Sequence, residues 1–395
     1  MNFWATLPQP IIGLAPMDGV TDAAFRLIVA QQGRADISFT EFTNVGDICR
    51  GPDRMLSSLL YHECERPVVA QLYGKDPDLF YQAAHIVCEL GFDGLDINMG
   101  CPSKNVASSG SGAGLIRTPD VAHAILKAAR QGVTDWANGQ TLFNAGIKTA
   151  RAEFIQSMNI GRVGVSVIPR RLLPVSVKTR LGYDSVIVER WISHLLNEQP
   201  AAITVHGRTL EQMYRGEADW DAIARAVDLT KGTGTWLLGN GDVHTMQDVI
   251  RRVRDTRVHG VLVGRGALGS PWFFQSTDTA RALARFQDDR EREQVTSVSM
   301  DLEKRFAVMI EHARQFETIF GVSHFPRMRK HLGWYCKGFA HAASLRASMV
   351  RASSVLDVAS ILEGFLSAHP CASSESAATP FDSEDAVSSA PLSCA

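Results

Sequence analysis

Long hydrophobic runs are missing from this 395-residue chain, although 45% of its residues are hydrophobic and 21% are charged. No stretch approaches the ~18 consecutive apolar residues that a membrane-spanning helix needs. The first residues, MNFWATLPQPIIG, contain no basic segment followed by an apolar one, so they indicate no secretory signal. These absences predict a cytoplasmic globular protein that does not span a membrane.

Cysteine pairs are also missing. The seven cysteines are odd in number, are spread over the whole chain and form no Cys-x-x-Cys motif. This distribution argues against a disulfide framework and against a zinc site. We therefore expect reduced thiols and no bound metal, so a cysteine with a chemical role has to be identified by its surroundings.

Acidic residues are absent between positions 318 and 356, although the net charge of the whole chain is only −2. The basic residues of this segment are Arg327, Arg329, Lys330, Lys337, Arg346 and Arg351. Positive charge concentrated on one face is typical of surfaces that bind nucleic-acid phosphates. A solvated helix face without a partner is the alternative.

Short apolar runs rich in β-branched residues alternate with helical stretches over most of the chain. Eight such runs occur, at 11–15, 36–41, 67–72, 94–98, 174–179, 201–206, 235–240 and 260–264. This alternation is typical of βα units around a buried parallel sheet, and eight units favour a closed (β/α)8 barrel of the TIM type. An open, doubly wound sheet is the alternative.

The rest of the sequence predicts an insertion and two further segments. The long interval between the fourth and fifth runs contains an insertion at about 132–171, and a charge-rich stretch at 288–293 ends a barrel that spans 1–290. Apolar residues at helical spacing in 296–368 predict a small all-α bundle. The tail at 369–395 is rich in serine, alanine and proline, which is typical of disorder.

Polar residues stand at the end of every predicted strand, where barrel enzymes place their active sites. They include Gln71, Asn98 with nearby Cys101, Lys178, His206 and Asn240. The stretch from Gly264 to Gly269 is formally a G-x-G-x-x-G motif, but no strand follows it, which argues against a Rossmann fold. Together with Gly241 it predicts the phosphate site that barrels commonly form after their last two strands.

These residues fall in motifs that resemble those of the tRNA-dihydrouridine synthase family. The motifs are LAPMDGVTD, VVAQLYG, LDINMGCPSKNV, SGSGAGLI, PVSVKTRLG, VHGRT, GNGD, VGRGALG and MRKHLGWYCKG, and they follow one another over residues 10–340. The resemblance implies an FMN-dependent enzyme, reduced by NADPH, that reduces a specific uridine of tRNA to 5,6-dihydrouridine. It also implies hydride transfer from flavin N5 to C6 of the uracil and proton transfer from Cys101 to C5.

Residue by residue, the resemblance implies two sets of contacts. The set for FMN is Pro16, Met17, Gln71, Lys178, His206, Asn240, Gly241, Asp242, Gly264 and Arg265. The set for tRNA is Asn98, Arg180 and Arg208 near the barrel mouth, with Arg327, Arg329 and Lys330 in the helical segment. A uridine has to leave its base stack to reach a barrel mouth, so base flipping is implied as well.

Cys101 also suits a proton donor on chemical grounds. It lies between a glycine and a proline directly after a strand, whereas Cys88 lies within a helical stretch, as a structural cysteine would. A thiol with an ordinary pKa of about 8.5 is mostly protonated at neutral pH and can donate. No neighbouring cation is needed for this role.

Two other functions stay open at this point. One is an FMN barrel that acts on a free pyrimidine such as dihydroorotate, and the other is a non-catalytic barrel that binds RNA. The basic helical segment favours a polyanionic substrate over a free pyrimidine. We expect the protein to be a monomer.

Overall fold

The computed structural model describes residues 2–284 and 300–369. Its strands are β1 (Ile11–Leu14), β2 (Ser38–Phe39), β3 (Thr43–Asn44), β4 (Val68–Tyr73), β5 (Gly94–Met99), β6 (Val175–Arg180), β7 (Ala202–His206), β8 (Trp236–Asn240) and β9 (Gly260–Val263). All pairings are parallel. Strand β1 pairs with β9 on one side and β2 on the other, and β2 also pairs with β4. The sheet is therefore closed, which confirms the predicted eight-stranded barrel, with β3 a short addition beside β4.

The second predicted run, 36–41, forms only the two-residue strand β2. The hydroxyls of Thr40 and Thr43 donate hydrogen bonds to the Glu41 carbonyl, at 3.0 and 3.4 Å, and this takes the carbonyl out of the strand ladder. The chain then rejoins the sheet as β3, which pairs with β4. Glu41 consequently stands at the carboxyl end of β2 rather than inside a longer strand.

Successive residues of β1 pack into different cores. Ile11 lies with Leu238 and Leu262 in a small cluster. Ile12 and Leu14 lie in the large cluster that the sheet shares with its covering helices. This division is expected because neighbouring side chains on a strand point to opposite faces. Apolar side chains thus fill the barrel interior at this level and leave the polar groups to its carboxyl end.

Helices cover the barrel and follow it. They are α1 (Ala23–Gln32), α2 (Val45–Arg50), α3 (Pro77–Glu89), α4 (Lys104–Ser108), α5 (Pro119–Ala137), α6 (Thr149–Val163), α7 (Val188–Leu196), α8 (Trp220–Thr230), α9 (Met246–Thr256), α10 (Thr277–Ala284), α11 (Leu302–Phe320), α12 (Arg329–Tyr335), α13 (Ala342–Met349) and α14 (Val355–Ala368). Asp22 caps α1 by accepting a hydrogen bond from the Phe25 N–H at 3.0 Å. Asp219 caps α8 in the same way, from the Ala222 N–H at 2.8 Å. These caps fix where the loops of the barrel mouth end.

Helix α6 lies within the insertion predicted at 132–171. Asn159 of α6 donates to the Glu89 carbonyl at 2.8 Å, and Trp136 of α5 donates to the Glu89 carboxylate at 2.8 Å. Glu89 ends α3, just before the amino end of β5. The insertion therefore packs toward the end of the barrel that is opposite the strand carboxyl ends.

The helices after the barrel form the predicted all-α bundle, and they share a core with the first barrel helix. Ala24 and Ile28 of α1 lie in one apolar cluster with buried residues of α11 to α14. Gly269 (φ +67°) passes the Trp334 main chain so closely that a Cβ there would overlap the Trp334 carbonyl. Lys337 donates to the Leu268 carbonyl at 2.8 Å. The bundle is thus fixed to α1 and to the loop after β9.

Two predicted features fall outside the described residues. They are the boundary at 288–293 and, apart from His369, the tail predicted from 369 onward. Within residues 2–284 and 300–369, no helix combines the length and apolarity needed to cross a bilayer.

Candidate active site at the barrel mouth

The strand register brings the polar strand ends together. The aligned pairs are Gln71 with Asp96, Asn98 with Lys178, Arg180 with His206, and His206 with Asn240. Because all strands are parallel, these residues share the carboxyl end of the barrel, where the active sites of such barrels lie. Five neighbouring strands, β4 to β8, therefore supply adjacent polar side chains.

A chain of buried hydrogen bonds fixes the amide side chains of β4 and β5. Gln71 Nε2 donates to the Asp96 carboxylate at 2.7 Å, and Asn98 Nδ2 donates to Gln71 Oε1 at 3.0 Å. The Ser176 hydroxyl donates to the other Asp96 oxygen at 2.6 Å. Asp96 was not assigned a role from the sequence, although a carboxylate inside the apolar run LDIN is a signal for a buried polar network.

Hydrogen bonds to the main-chain N–H and carbonyl groups of Cys101 fix the loop that carries this residue. Asn98 Oδ1 accepts hydrogen bonds from the N–H groups of Gly100 (3.0 Å) and Cys101 (2.8 Å). The Cys101 carbonyl accepts from the Ala113 N–H at 3.3 Å. Gly112 (φ +56°) lies so close that a Cβ would stand 3.1 Å from the Cys101 Cβ. Cys101 is 4% exposed, and Asn98 holds its main-chain N–H.

Lys178 and Asp96 form an oppositely charged pair of desolvated groups on β6 and β5. Burial, together with the neighbouring Arg180 and against the opposing effect of Asp96, lowers the pKa of Lys178 to about 8. Burial likewise raises the pKa of Asp96 to about 6, against the hydrogen bonds from Ser176 and Gln71. Lys178 therefore keeps its ammonium charge at pH 7 at the cost of solvation, which suits a group that meets negative charge in a ligand.

Several cations surround His206 on β7. Burial holds the pKa of His206 well below its usual range, and Arg180, Lys178 and Arg208 add to this effect, so the imidazole is neutral. Arg180 is 3% exposed and donates to the carbonyls of Gly100 (2.7 Å), Thr209 and Met213. Its guanidinium thus joins the Cys101 loop to the loop after β7.

Asp242, after β8, binds two arginines. Arg208 Nη2 lies 2.6 Å from one Asp242 oxygen, and Arg265 Nη2 lies 2.8 Å from the other. Burial would raise the pKa of Asp242, but the hydrogen bonds and charges of the two arginines lower it below its usual value. Two guanidinium groups and one carboxylate leave this cluster with a surplus of one positive charge.

The loops after β8 and β9 present unused main-chain donors beside that cluster. Within the described part of the chain, the N–H groups of Asp242, Arg265 and Gly266 meet no acceptor. Gly241 adopts φ +124°, and a Cβ there would lie 2.8 Å from Ala218 Cβ and 3.0 Å from His206 Cδ2. Open N–H groups beside a net positive charge are the chemistry of an anion site.

Pro16 and Met17 follow β1 and remain half-buried at the same end of the barrel. The Thr21 hydroxyl accepts from the Met17 N–H at 2.9 Å, and this fixes the turn. A Cβ on Gly264 would lie 3.3 Å from Met17 Sδ, so the first and last barrel loops are in contact. Asn240 Nδ2, in turn, donates to the Leu262 carbonyl at 2.8 Å.

Comparison with known proteins decides the family. The family model described as dihydrouridine synthase (Dus) matches residues 13–138 and 164–368. The chain belongs to the dihydrouridine synthase family. It is accordingly an enzyme, an oxidoreductase.

A Bacillus subtilis (strain 168) protein named probable tRNA-dihydrouridine synthase 2 is 33% identical over 92% of this chain and 96% of its own length. A Staphylococcus aureus (strain COL) protein named probable tRNA-dihydrouridine synthase is 29% identical over 92% and 95%. Among solved structures, a variant of NCR from Zymomonas mobilis is 13% identical over 72% of this chain and 89% of that chain, with a TM-score of 0.39.

In this dihydrouridine synthase, the basic C-terminal residues make different kinds of contact. Arg329 Nε donates to the Ala352 carbonyl at 2.8 Å, and Arg346 Nη2 donates to the Cys336 carbonyl at 2.8 Å. Arg327 is exposed beside the ring of Phe320. Lys330 is half-buried and faces the first barrel loop. The three residues expected to contact tRNA thus lie on α12 and the turn before it, but they do not form one uniform surface.

Proposed function

We propose that this enzyme reduces a specific uridine of tRNA to 5,6-dihydrouridine in the cytoplasm, with FMN as cofactor and NADPH as reductant. The names of its relatives point to this substrate. The observation that carries the proposal is the meeting of Asn98, Cys101 and Lys178 at the mouth of one parallel barrel. A uracil that enters this mouth would find a thiol and a fixed cation within one rim.

The residues present fit FMN. When bound, FMN supplies the hydride for C6 of the uracil. The open N–H groups of the loops after β8 and β9 would hold its phosphate beside Arg265, and the surplus charge of the Arg208–Asp242–Arg265 cluster favours an anion there. Gln71, Met17 and the neutral His206 would hold the rest of the cofactor.

Lys178 would contribute charge to the cofactor site. Its ammonium lies in a desolvated position, where a charge interacts more strongly than in water. We expect it to stabilise negative charge on the cofactor, as fixed cations do in other enzyme sites. The neighbouring Asp96 offsets part of the desolvation cost.

Cys101 would hold the proton that goes to C5 of the uracil. Asn98 Oδ1 accepts from the N–H groups of Gly100 and Cys101, so the main chain that carries the thiol has a defined position relative to the rim. Arg180, which donates to the Gly100 carbonyl, holds the same loop from the other side. Positioning of this kind is what general acid catalysis requires.

The C-terminal helices would bind the tRNA outside the barrel. Arg327, Lys330 and the outer nitrogens of Arg329 are the candidates for phosphate contacts, and Asn98 and Arg208 are candidates for contacts to the flipped base. We also propose a domain division near residue 290 and a monomeric protein.

The test uses the purified full-length chain with FMN, NADPH and unmodified tRNA. We expect a yellow protein that adds the mass of two hydrogen atoms to one uridine, as measured by mass spectrometry of tRNA digests. A colourless preparation that cannot be reconstituted with FMN would overturn the proposal. Activity on free pyrimidines without salt-sensitive tRNA binding would favour a small-molecule oxidoreductase.

The role of Cys101 is tested by Cys101→Ala, with Cys88→Ala as the matched control. Cys88 is buried in α3, away from the mouth. We expect Cys101→Ala to retain FMN and its reduction by NADPH but to lose uridine reduction by a factor of ~10² or more, as for other general acids. An unchanged rate of uridine reduction would show that the proton comes from another group.

A further inference from the structure

A second cluster of charged groups lies beside the barrel mouth, between the first two barrel loops and α12. Glu41 follows β2, Asp18 and Asp22 lie in the loop between β1 and α1, and Lys330 lies on α12. The function proposed above uses Lys330 only as a phosphate contact and does not use the carboxylates. The cluster occupies the junction between the barrel and the C-terminal helices.

Glu41 is a largely buried residue at the carboxyl end of β2. It is 8% exposed, and the hydroxyls of Thr40 and Thr43 donate to its main-chain carbonyl rather than to its carboxylate. Burial, with smaller contributions from Asp22 and Asp18, raises the pKa of Glu41 to about 7. A hydrogen-bond donor from a ligand would stabilise a carboxylate in this poorly solvated position.

Nearby arginine does not satisfy Glu41. The Arg26 guanidinium is committed to the Glu65 carboxylate at 2.8 Å and to the carbonyls of Thr21 and Leu60. Asp22, by contrast, is occupied as the N-cap of α1. Glu41 is therefore open to a hydrogen bond from a ligand.

Lys330 reaches this cluster from the opposite side. A Cβ on Gly19 (φ +68°) would lie 3.0 Å from Lys330 Nζ, so the ammonium lies directly against the first barrel loop. Burial lowers the pKa of Lys330, while Asp22, Glu41 and Asp18 oppose the shift. An ammonium group has three N–H donors, so Lys330 can donate to a ligand that reaches this loop.

The cluster adjoins the Cys101 site. Strands β2 and β5 both pair with β4 in parallel, so Glu41 after β2 and Cys101 after β5 stand at the same end of the barrel, two strands apart. An RNA strand with its uracil at Cys101 would therefore meet the side of the rim that carries Glu41.

The chemistry of the two groups selects the ligand. Three carboxylates would repel a bare anion, whereas a hydroxyl can donate to Glu41 while a neighbouring phosphate accepts from Lys330. In RNA, the ribose 2′-hydroxyl lies beside a phosphate and can both donate and accept. We propose that Glu41 and Lys330 form a ribose subsite for the nucleotide next to the target uridine, with Glu41 accepting from its 2′-hydroxyl and Lys330 donating to its phosphate. This inference rests on tRNA being the substrate.

The test is a 2′-deoxy interference scan with the full enzyme. Unmodified tRNA carrying 2′-deoxynucleotides at single positions around the target uridine is reduced by the wild type and by Glu41→Met, which has no oxygen to accept the hydrogen bond. We expect one position where the 2′-deoxy change slows the wild type about tenfold, the size expected for one hydrogen bond. The same change should not slow Glu41→Met further. Glu303→Met, at an exposed site on α11, is the control and should keep the wild-type pattern.

Lys330→Gln provides a second arm. It should remove interference by a phosphorothioate at the linkage of that same nucleotide, while Lys127→Gln, at an exposed site on α5, should not. This arm is the deciding test if Glu41→Met loses its FMN or its cooperative unfolding. The subsite is refuted if the wild type shows no 2′-deoxy effect beside the target, or if Glu41→Met or Lys330→Gln keeps the wild-type interference. Failure of the proposed function would look different, because the wild type would then reduce no uridine in any transcript.

Discussion

Replacing Asn98 by alanine removes three hydrogen bonds that converge on one side chain. Two of them hold the Gly100 and Cys101 N–H groups, and the third joins Asn98 to Gln71. With about 1 kcal/mol for each such bond, the free energy of unfolding should fall by about 3 kcal/mol. The Cys101 loop would also lose its fixed position, because Asn98 Oδ1 accepts from both the Gly100 and the Cys101 N–H groups.

Two assays separate stability from chemistry. Urea unfolding of the FMN-bound protein measures the loss of stability, and rapid mixing of the pre-reduced enzyme with tRNA measures uridine reduction. We expect Asn98→Ala to lower the rate of uridine reduction at least tenfold while its reduction by NADPH stays near the wild-type rate. A shift of 1 Å in a reacting group is enough for a loss of this size.

Asn159 provides a matched control. It is a fully buried asparagine in the insertion, and it donates to the Glu89 carbonyl at 2.8 Å and accepts from Arg162 at 3.1 Å. Asn159→Ala should therefore lower stability by a comparable amount and leave uridine reduction intact. If Asn98→Ala is as stable as the wild type, or if both variants lose the same activity, then Asn98 does not position Cys101.

Three further predictions concern the cofactor side of the barrel. Lys178 loses its proton as the pH rises through about 8, so the rate of FMN reduction by NADPH, a step that does not use Cys101, should decline across that range, and Lys178→Met should show no such decline. Gly241→Ala should lose FMN in an absorbance titration because the new Cβ would meet Ala218 and His206. The control Gly232→Ala should keep FMN, because Gly232 also has a positive φ of +75° but no atom within 4 Å of its Cβ. Asp242→Asn leaves the buried Arg208 without its carboxylate, so thermal unfolding should show a loss of about 2–3 kcal/mol, and unchanged stability would contradict the assigned pairing.

The barrel and the order of its site loops could be predicted from the sequence because each depends on local pattern. A buried parallel strand requires a short β-branched run, and the rim residues follow directly from where each run ends. Once neighbouring strands pair in parallel, their register places Asn98 beside Lys178 and Arg180 beside His206.

The partners of the long side chains could not be predicted in the same way. Arg180 donates to carbonyls of two different loops, and Asp242 binds arginines that follow β7 and β9. These contacts join residues far apart in the chain, and nothing in a local pattern specifies them. The shortening of β2 at Glu41 has a similar origin, since it depends on hydroxyl bonds from Thr40 and Thr43 to one carbonyl.

The absence of acidic residues from 318 to 356 has a structural cause in addition to the proposed contact with tRNA phosphates. Lys337 donates to the Leu268 carbonyl and Arg346 to the Cys336 carbonyl, so both cations are committed to main-chain acceptors that join the bundle to the barrel and α12 to α13. A carboxylate in the same segment would compete for these donors, because charged acceptors bind guanidinium and ammonium groups more strongly than carbonyls do. The basic segment is therefore only partly available to RNA, and the salt dependence of tRNA binding should reflect fewer phosphate contacts than its six basic residues suggest.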